Sequence, residues 1–298
     1  MVGANMYEPQ HTHQLSETAP AKRSILDGFS IEATAQQIEK IEDLSNIVPK
    51  GTAVYIPYLP GANYAESFVA VERLVSAGLT PIPHIAARAT KSIAELDGTL
   101  ARFVEAGVDS VFMIAGDTDK PAGPFTSTLE VLASGQLEKH GIRKIGFAAH
   151  PEGHPVVDIS ALDNALRLKA SYAQASGAEI WLASQFTFDA APIAAWLDRL
   201  SLMDILIPVR VGIPGPAKMR SLLSFAMKCG IANSARALSR RPETARMLLG
   251  SWSPAPLIEE LAAYSKQSDT TQLAGLHVFS FGGFGHSAKW MMDYRANN

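Results

Sequence analysis

The stretch Ile145–Pro155, IGFAAHPEGHP, places two imidazoles and a carboxylate directly where an apolar run ends. An apolar run stops at His150-Pro151, and Glu152 and His154 follow at once. Pro151 and Pro155 restrain the backbone between them. Imidazoles beside a carboxylate can pass protons or ligate a metal. The His150–His154 spacing would put both rings on one face of a helix, but Pro151, Gly153 and Pro155 argue for a loop instead. A strand ending in a turn gives the same pattern without any chemistry.

Similar punctuation recurs. Glu32 follows the apolar stretch in FSIEA, and Asp117 follows Ala115-Gly116. A carboxylate at the mouth of a barrel loses solvation and can hold a proton for delivery. Glu32 also reads as a solvated residue at the start of a helix. His84 lies within TPIPHIAAR and Gln185 within SQFTFD. The amide of Gln185 offers a donor and an acceptor to a heterocycle, or equally to backbone. A histidine in an apolar strand such as His84 is often structural. Tyr58, Arg210 and Phe279 complete the polar or aromatic residues at expected strand ends.

The elements needed to position these residues follow from periodicity. Short apolar runs at 29–31, 52–59, 80–87, 110–115, 144–149, 179–186, 205–211 and 276–281 read as strands. Helical spacing falls between them, as in Phe68, Val71, Leu74, Val75 and in Leu96, Leu100, Phe103, Val104. Thr34 and Gln37 form a capping-box signature. Thr126–His140 reads as one helix, and a helical region from Ala232 to Tyr264 is interrupted by Pro242 and by the turn at 251–256. Apolar strands alternating with helices predict an α/β fold, a single-domain (β/α)8 TIM barrel over 25–298 with a polar N-terminal extension over 1–24. A doubly wound sheet is the alternative, but no glycine-rich dinucleotide fingerprint is present.

With 298 residues, 47% of them hydrophobic, the chain can bury one large core. Its net charge of −3 and the lack of a long basic run give no reason to expect nucleic acid or an anionic membrane. No apolar run reaches the length of a membrane span, and the N-terminus has no signal-like apolar core. Cys229 is the only cysteine, so an intramolecular disulfide is excluded. A cytoplasmic enzyme is expected. No metal is assigned; His11 and His13 lie in the polar extension.

FSIEA, TPIPHIAAR, IAGD, IGFAAHPEGHP and SQFTFD stand in the order found in 5,10-methylenetetrahydrofolate reductases, and over about 25–295 the chain resembles the bacterial-type catalytic barrel of that family. The resemblance implies a flavoprotein oxidoreductase of one-carbon metabolism and methionine biosynthesis. It implies bound FAD, NADH or NADPH as electron donor, methylenetetrahydrofolate as substrate and a homo-oligomer. By motif, Glu32 is implied as the general acid and Asp117 as a second catalytic carboxylate between flavin and pterin. Gln185 and Phe279 join them as substrate contacts. Tyr58, His84, Gly116, Asp117, Phe125, Thr126, His150, His154, Asn164, Arg167 and Lys169 are implied as cofactor contacts.

The sequence departs from that family at Ala115, where an arginine is common, at His150, where tyrosine is common, and over Phe279–Gly283. Ala115 and the lack of a basic residue near Gly283 motivate a second reading, a folate-binding barrel or partner subunit without redox activity. A metal-dependent aldolase or hydrolase on the same barrel is a third.

Overall fold

The structure is a computed structural model that describes residues 24–59, 61–228, 250–267 and 272–298. The expected extension over 1–24 lies outside these residues except for Ser24. Cys229, Pro242 and the start of the helical region expected from Ala232 lie outside them as well.

Eight parallel strands close into a barrel. They are β1 (Ser30–Glu32), β2 (Ala53–Ile56), β3 (Thr80–Ala86), β4 (Ser110–Ile114), β5 (Lys144–Ala149), β6 (Glu179–Ser184), β7 (Val209–Pro214) and, last in the chain, Leu273–Phe279. Between β7 and that last strand lies a small antiparallel pair, β8 (Ala217–Lys218) with β9 (Ser251–Trp252), so the last strand is β10. β10 pairs with both β7 and β1, which closes the ring. The helices are α1 (Ala35–Glu39), α2 (Tyr64–Ser76), α3 (Ile93–Glu105), α4 (Thr128–Ala133), α5 (Gln136–Lys139) and α6 (Ile159–Ser176). α7 (Ala190–Leu202), α8 (Met219–Lys228), α9 (Ala255–Gln267) and α10 (Phe284–Ala296) complete the set.

Local sequence explains most of these boundaries. Thr34 caps α1 through the expected capping box with Gln37. Asn63, Ser92, Asp158 and Asp189 each accept from a backbone N–H in the first turn of α2, α3, α6 and α7. The apolar stripes then face the strands: Phe68, Val71 and Leu74 on α2, and Leu96, Leu100 and Phe103 on α3, are all buried. Removing each such side chain from water stabilises the fold by roughly 1.5–3 kcal/mol. The main core is thus the shell between strands and helices.

Inside the ring, a second and smaller cluster contains Tyr55, Ile82, Phe112 and Ala183. Trp181 packs on this cluster and its Nε1 donates to Tyr55 Oη at 2.7 Å. Gly146 leaves room for these rings. A Cβ there would lie 2.5 Å from both Phe112 and Trp181.

Several expected elements differ from those observed, among them the second and sixth strands, which end at Ile56 and Ser184. The helix expected over Thr126–His140 is two short helices, because Gly135 adopts φ +70° and turns the chain between them. The seventh strand begins at Val209 rather than Ile205. Ile205 and Ile207 are buried like strand residues but precede the hydrogen-bonded ladder. The final strand begins earlier and ends earlier than expected, at Leu273–Phe279. Among the described residues, no helix is long and apolar enough to cross a membrane.

Candidate active site

In a closed parallel barrel, side chains from alternate strand residues point inward, and those at the C-terminal ends form the mouth. Glu32 is the last residue of β1, in register with Tyr55 on β2 and Phe279 on β10. Its Oε2 lies 3.9 Å from His84 Nε2 on β3 and 3.8 Å from His277 Nε2 on β10. The Glu32 side chain is 20% exposed, whereas those of His84 and His277 are 8% and 2% exposed. The carboxylate therefore fronts the cluster and the two imidazoles back it.

The floor beneath is aromatic. The Tyr55 ring packs against His277 at 4.3 Å, Phe112 at 5.1 Å and His84 at 6.1 Å between centroids. Burial pushes the Tyr55 phenol up to about 12, so it stays neutral. Burial also pulls His84 down to about 4. Attraction to Glu32 opposes this and the nearby His277 reinforces it. His84 is consequently neutral at physiological pH, and its buried Nε2 has no hydrogen-bond partner. That nitrogen faces Glu32 just beyond hydrogen-bond reach.

Two serines fix the cluster. Ser30 Oγ lies 3.0 Å from His277 Nδ1 and 3.4 Å from the Leu276 carbonyl. If the hydroxyl donates to Nδ1, the ring proton sits on Nε2 and points at Glu32. If it donates to Leu276, Nε2 is free to accept a proton. The orientation of Ser30 thus sets the proton inventory around the carboxylate. Ser280, in the loop after β10, donates its hydroxyl to the Glu32 carbonyl and clamps the end of β1.

Beside this cluster, a cavity of about 380 Å³ opens among the loops that follow β2, β3 and β4. Tyr58, Asn63, Lys91, Ile114, Gly116 and Asp117 are among its lining residues, and Ala86 is another. Ala86 lies two residues beyond His84 on β3, hence on the same face and roughly 6.6 Å further up the strand. This volume suits a small organic ligand, and its walls mix aromatic, alkyl and charged groups. Arg88 holds the loop that carries Asp117, donating to the carbonyls of Thr118 at 2.9 Å and Asp119 at 2.6 Å.

A second cavity, of about 160 Å³, lies under the β5–α6 loop and is lined by Ala148, His150, Glu152, Leu166, Lys169 and Trp196 among others. Here His150 and His154 pack edge to face, with centroids 4.9 Å apart. Burial, the nearby His154 and Lys169 together hold His150 down to about 4. Glu152 accepts from Thr187 Oγ1 at 2.9 Å, which ties this loop to the end of β6.

The residues singled out from sequence therefore divide into groups. Glu32 meets His84. Tyr58, Gly116 and Asp117 share the larger cavity, and His150 shares the smaller one with Lys169. Asn164 and Arg167 lie on the exposed side of α6, away from Lys169. Phe125 is buried in the shell core, and the backbone and hydroxyl of Thr126 bind Glu130 at the start of α4. Gln185 Oε1 accepts from the N–H of Phe186 at 3.0 Å, so its amide oxygen serves backbone. Phe279 packs on His277, Phe186 and Phe281. Arg210 does not sit at the mouth. It is the second residue of β7 and donates to the Gly28 carbonyl at 2.6 Å, near the opposite end of the barrel.

Sequence reading missed His277 and Ser30. Each stands two residues from a residue that it did single out, Phe279 and Glu32, and so shares its face. Among the described residues, no group of three or more His, Cys, Asp or Glu side chains is arranged to hold a metal ion.

No family model matches the chain. Solved structures with a similar course include a candidate phosphonomutase from Burkholderia cenocepacia J2315. It is 13% identical, with a TM-score of 0.47, and the match covers 90% of this chain and 92% of that one. A candidate lyase/mutase from the same organism is 15% identical, with a TM-score of 0.44, and the match covers 90% of this chain and 80% of that one.

No family model matches the chain, that of methylenetetrahydrofolate reductases included, and neither of these structures is named as a folate reductase, so the resemblance to that family is not upheld. The oxidoreductase activity, the FAD, the NADH or NADPH, the folate substrate and the one-carbon setting are set aside with it. So is the folate-binding alternative. The error has a physical origin. Any (β/α)8 barrel ends its strands in polar, glycine- and proline-containing loops, so short strand-end motifs recur on barrels of unrelated chemistry. At these identities and scores the neighbours' own reactions are not transferred, and the chemistry must be read from this chain's side chains.

Proposed function

We propose that this barrel is an enzyme whose central step is proton transfer to or from a small organic substrate, of the lyase or isomerase type, with Glu32 as the acid–base group. The observation that carries this reading is the Glu32 carboxylate at the mouth, backed by two buried imidazoles at 3.8 and 3.9 Å. Such a carboxylate can take a proton from carbon or deliver one, while the two buried imidazoles behind it leave its outer face to the substrate. Neutral His84 supports this role, because an imidazolium there would hold Glu32 in a fixed ion pair. The neighbouring cavity would seat the substrate. Lys91 and Asn63 offer donors to a carbonyl or carboxylate, and Asp117 offers an acceptor. A single cysteine fits a reducing, cytoplasmic setting.

The test is hydrogen–deuterium exchange at carbon. The protein is incubated in D2O with pyruvate, 2-oxobutyrate, oxaloacetate and 3-hydroxybutyrate, and exchange is followed by proton NMR. Exchange above background with at least one of these, falling about 10²- to 10⁴-fold in Glu32→Gln, is expected. Equal exchange by the wild type and Glu32→Gln would remove Glu32 from the chemistry.

A further inference from the structure

Lys169 is buried where a lysine has little reason to be. It sits on α6 facing β5, 7% exposed, with its Nζ 4.6 Å from the centroid of the Phe147 ring. Among the described residues no ion pair joins it to a carboxylate. The nearest acid on its own helix, Asp163, is engaged by Arg199 of α7. Burying an ammonium without a counter-ion is costly, so the environment favours the neutral amine. Burial accordingly pulls Lys169 down to about 8. At that value roughly one molecule in ten carries the free amine at pH 7, against about one in 2,500 for a solvated lysine.

The amine also has somewhere to act. It lines the cavity of about 160 Å³ under the β5–α6 loop. A cavity of about 150 Å³ holds a benzene-sized molecule. Ala148, Leu166 and Trp196 give this one apolar walls, and His150, Glu152 and the Asp163–Arg199 pair are the titratable groups that line it. Burial, His154 and the charge of Lys169 hold His150 neutral, so no second cation stands beside the amine in this cavity.

We propose that Lys169 is a reactive amine that captures a small aldehyde or ketone in this cavity as an imine. The ammonium first gives a proton to water. The nitrogen lone pair attacks the carbonyl carbon, and the carbonyl oxygen takes a proton. The resulting carbinolamine loses water, protonated at the leaving oxygen, and the C=N bond forms. One water leaves for each imine made, and no oxidant or reductant is consumed. The site is separate from Glu32, and this inference does not depend on the function proposed for that residue.

Reductive trapping tests it directly. The full-length protein is treated with propanal and sodium cyanoborohydride, and peptide mass spectrometry locates the N-propyl lysines. Lys169 is expected to be modified at least tenfold faster than the exposed Lys289, with a rate that rises through a midpoint near pH 8. Lys169→Arg should lose the fast adduct while keeping a positive charge. Modification of Lys169 no faster than Lys289, or a midpoint near that of a solvated lysine, would overturn the proposal. Both readings come from the wild-type protein, so they stand even if the arginine variant fails to fold.

Discussion

Glu32 and His277 meet across the seam where the first barrel strand pairs with the last, Oε2 to Nε2 at 3.8 Å. The two residues come from opposite ends of the chain. Neither is in place until the barrel has closed, so the proton-handling cluster depends on closure as much as on its own residues.

Ser30 should control that cluster. Ser30→Ala removes the 3.0 Å contact to His277 Nδ1 inside the barrel. A buried donor or acceptor left unmatched costs about 1–3 kcal/mol, which urea unfolding should register. The pH profile of deuterium exchange should move as well, because the tautomer of His277 is no longer set. A Ser30→Ala variant with unchanged stability and an unchanged profile would show that this contact does not matter.

Acid should weaken the fold before the carboxylates titrate. His84 and His150 have an ordinary value of 6.5 and are both held down to about 4, chiefly by burial. Between these limits the unfolded chain binds more protons than the folded one. The contribution of each ring is therefore fully present above pH 6.5 and is lost as pH falls toward 4, by up to about 3 kcal/mol per histidine. Thermal unfolding followed from pH 7.5 to 4.5 should show this decline, and His84→Leu should flatten it. An equally steep decline in the variant would mean that other groups cause it.

Gly146 should not tolerate a side chain. A Cβ at this position would lie 2.5 Å from the Phe112 and Trp181 rings, both held inside the barrel. Gly146→Ala should cost about 1–3 kcal/mol through overpacking, read as a lower urea midpoint. A neutral effect would mean that these rings can move aside.

Trp181 and Tyr55 should be energetically coupled through their 2.7 Å hydrogen bond. A double-mutant cycle with Trp181→Phe and Tyr55→Phe should give a coupling of about 0.5–1.5 kcal/mol. Additive single effects would reduce the contact to packing alone.

The sequence by itself determined the barrel. Eight apolar runs separated by amphipathic stripes admit few other arrangements, and caps such as Thr34 with Gln37 mark helix starts through contacts only a few residues apart. It also marked Glu32, Asp117 and His150 as polar residues where apolar runs stop. Tertiary structure decided the partnerships. His84 reads as a structural histidine until β1 and β10 bring Glu32 and His277 to it. Lys169 stands with Asn164 and Arg167 as an implied cofactor contact, and only the packing of α6 on β5 shows it to be buried against Phe147. The physical reason is range. Propensity, capping and periodicity act over a few residues and are written locally. The burial that neutralises His84, and that draws Lys169 toward its neutral amine, is produced by segments far away in sequence that meet only when the ring closes.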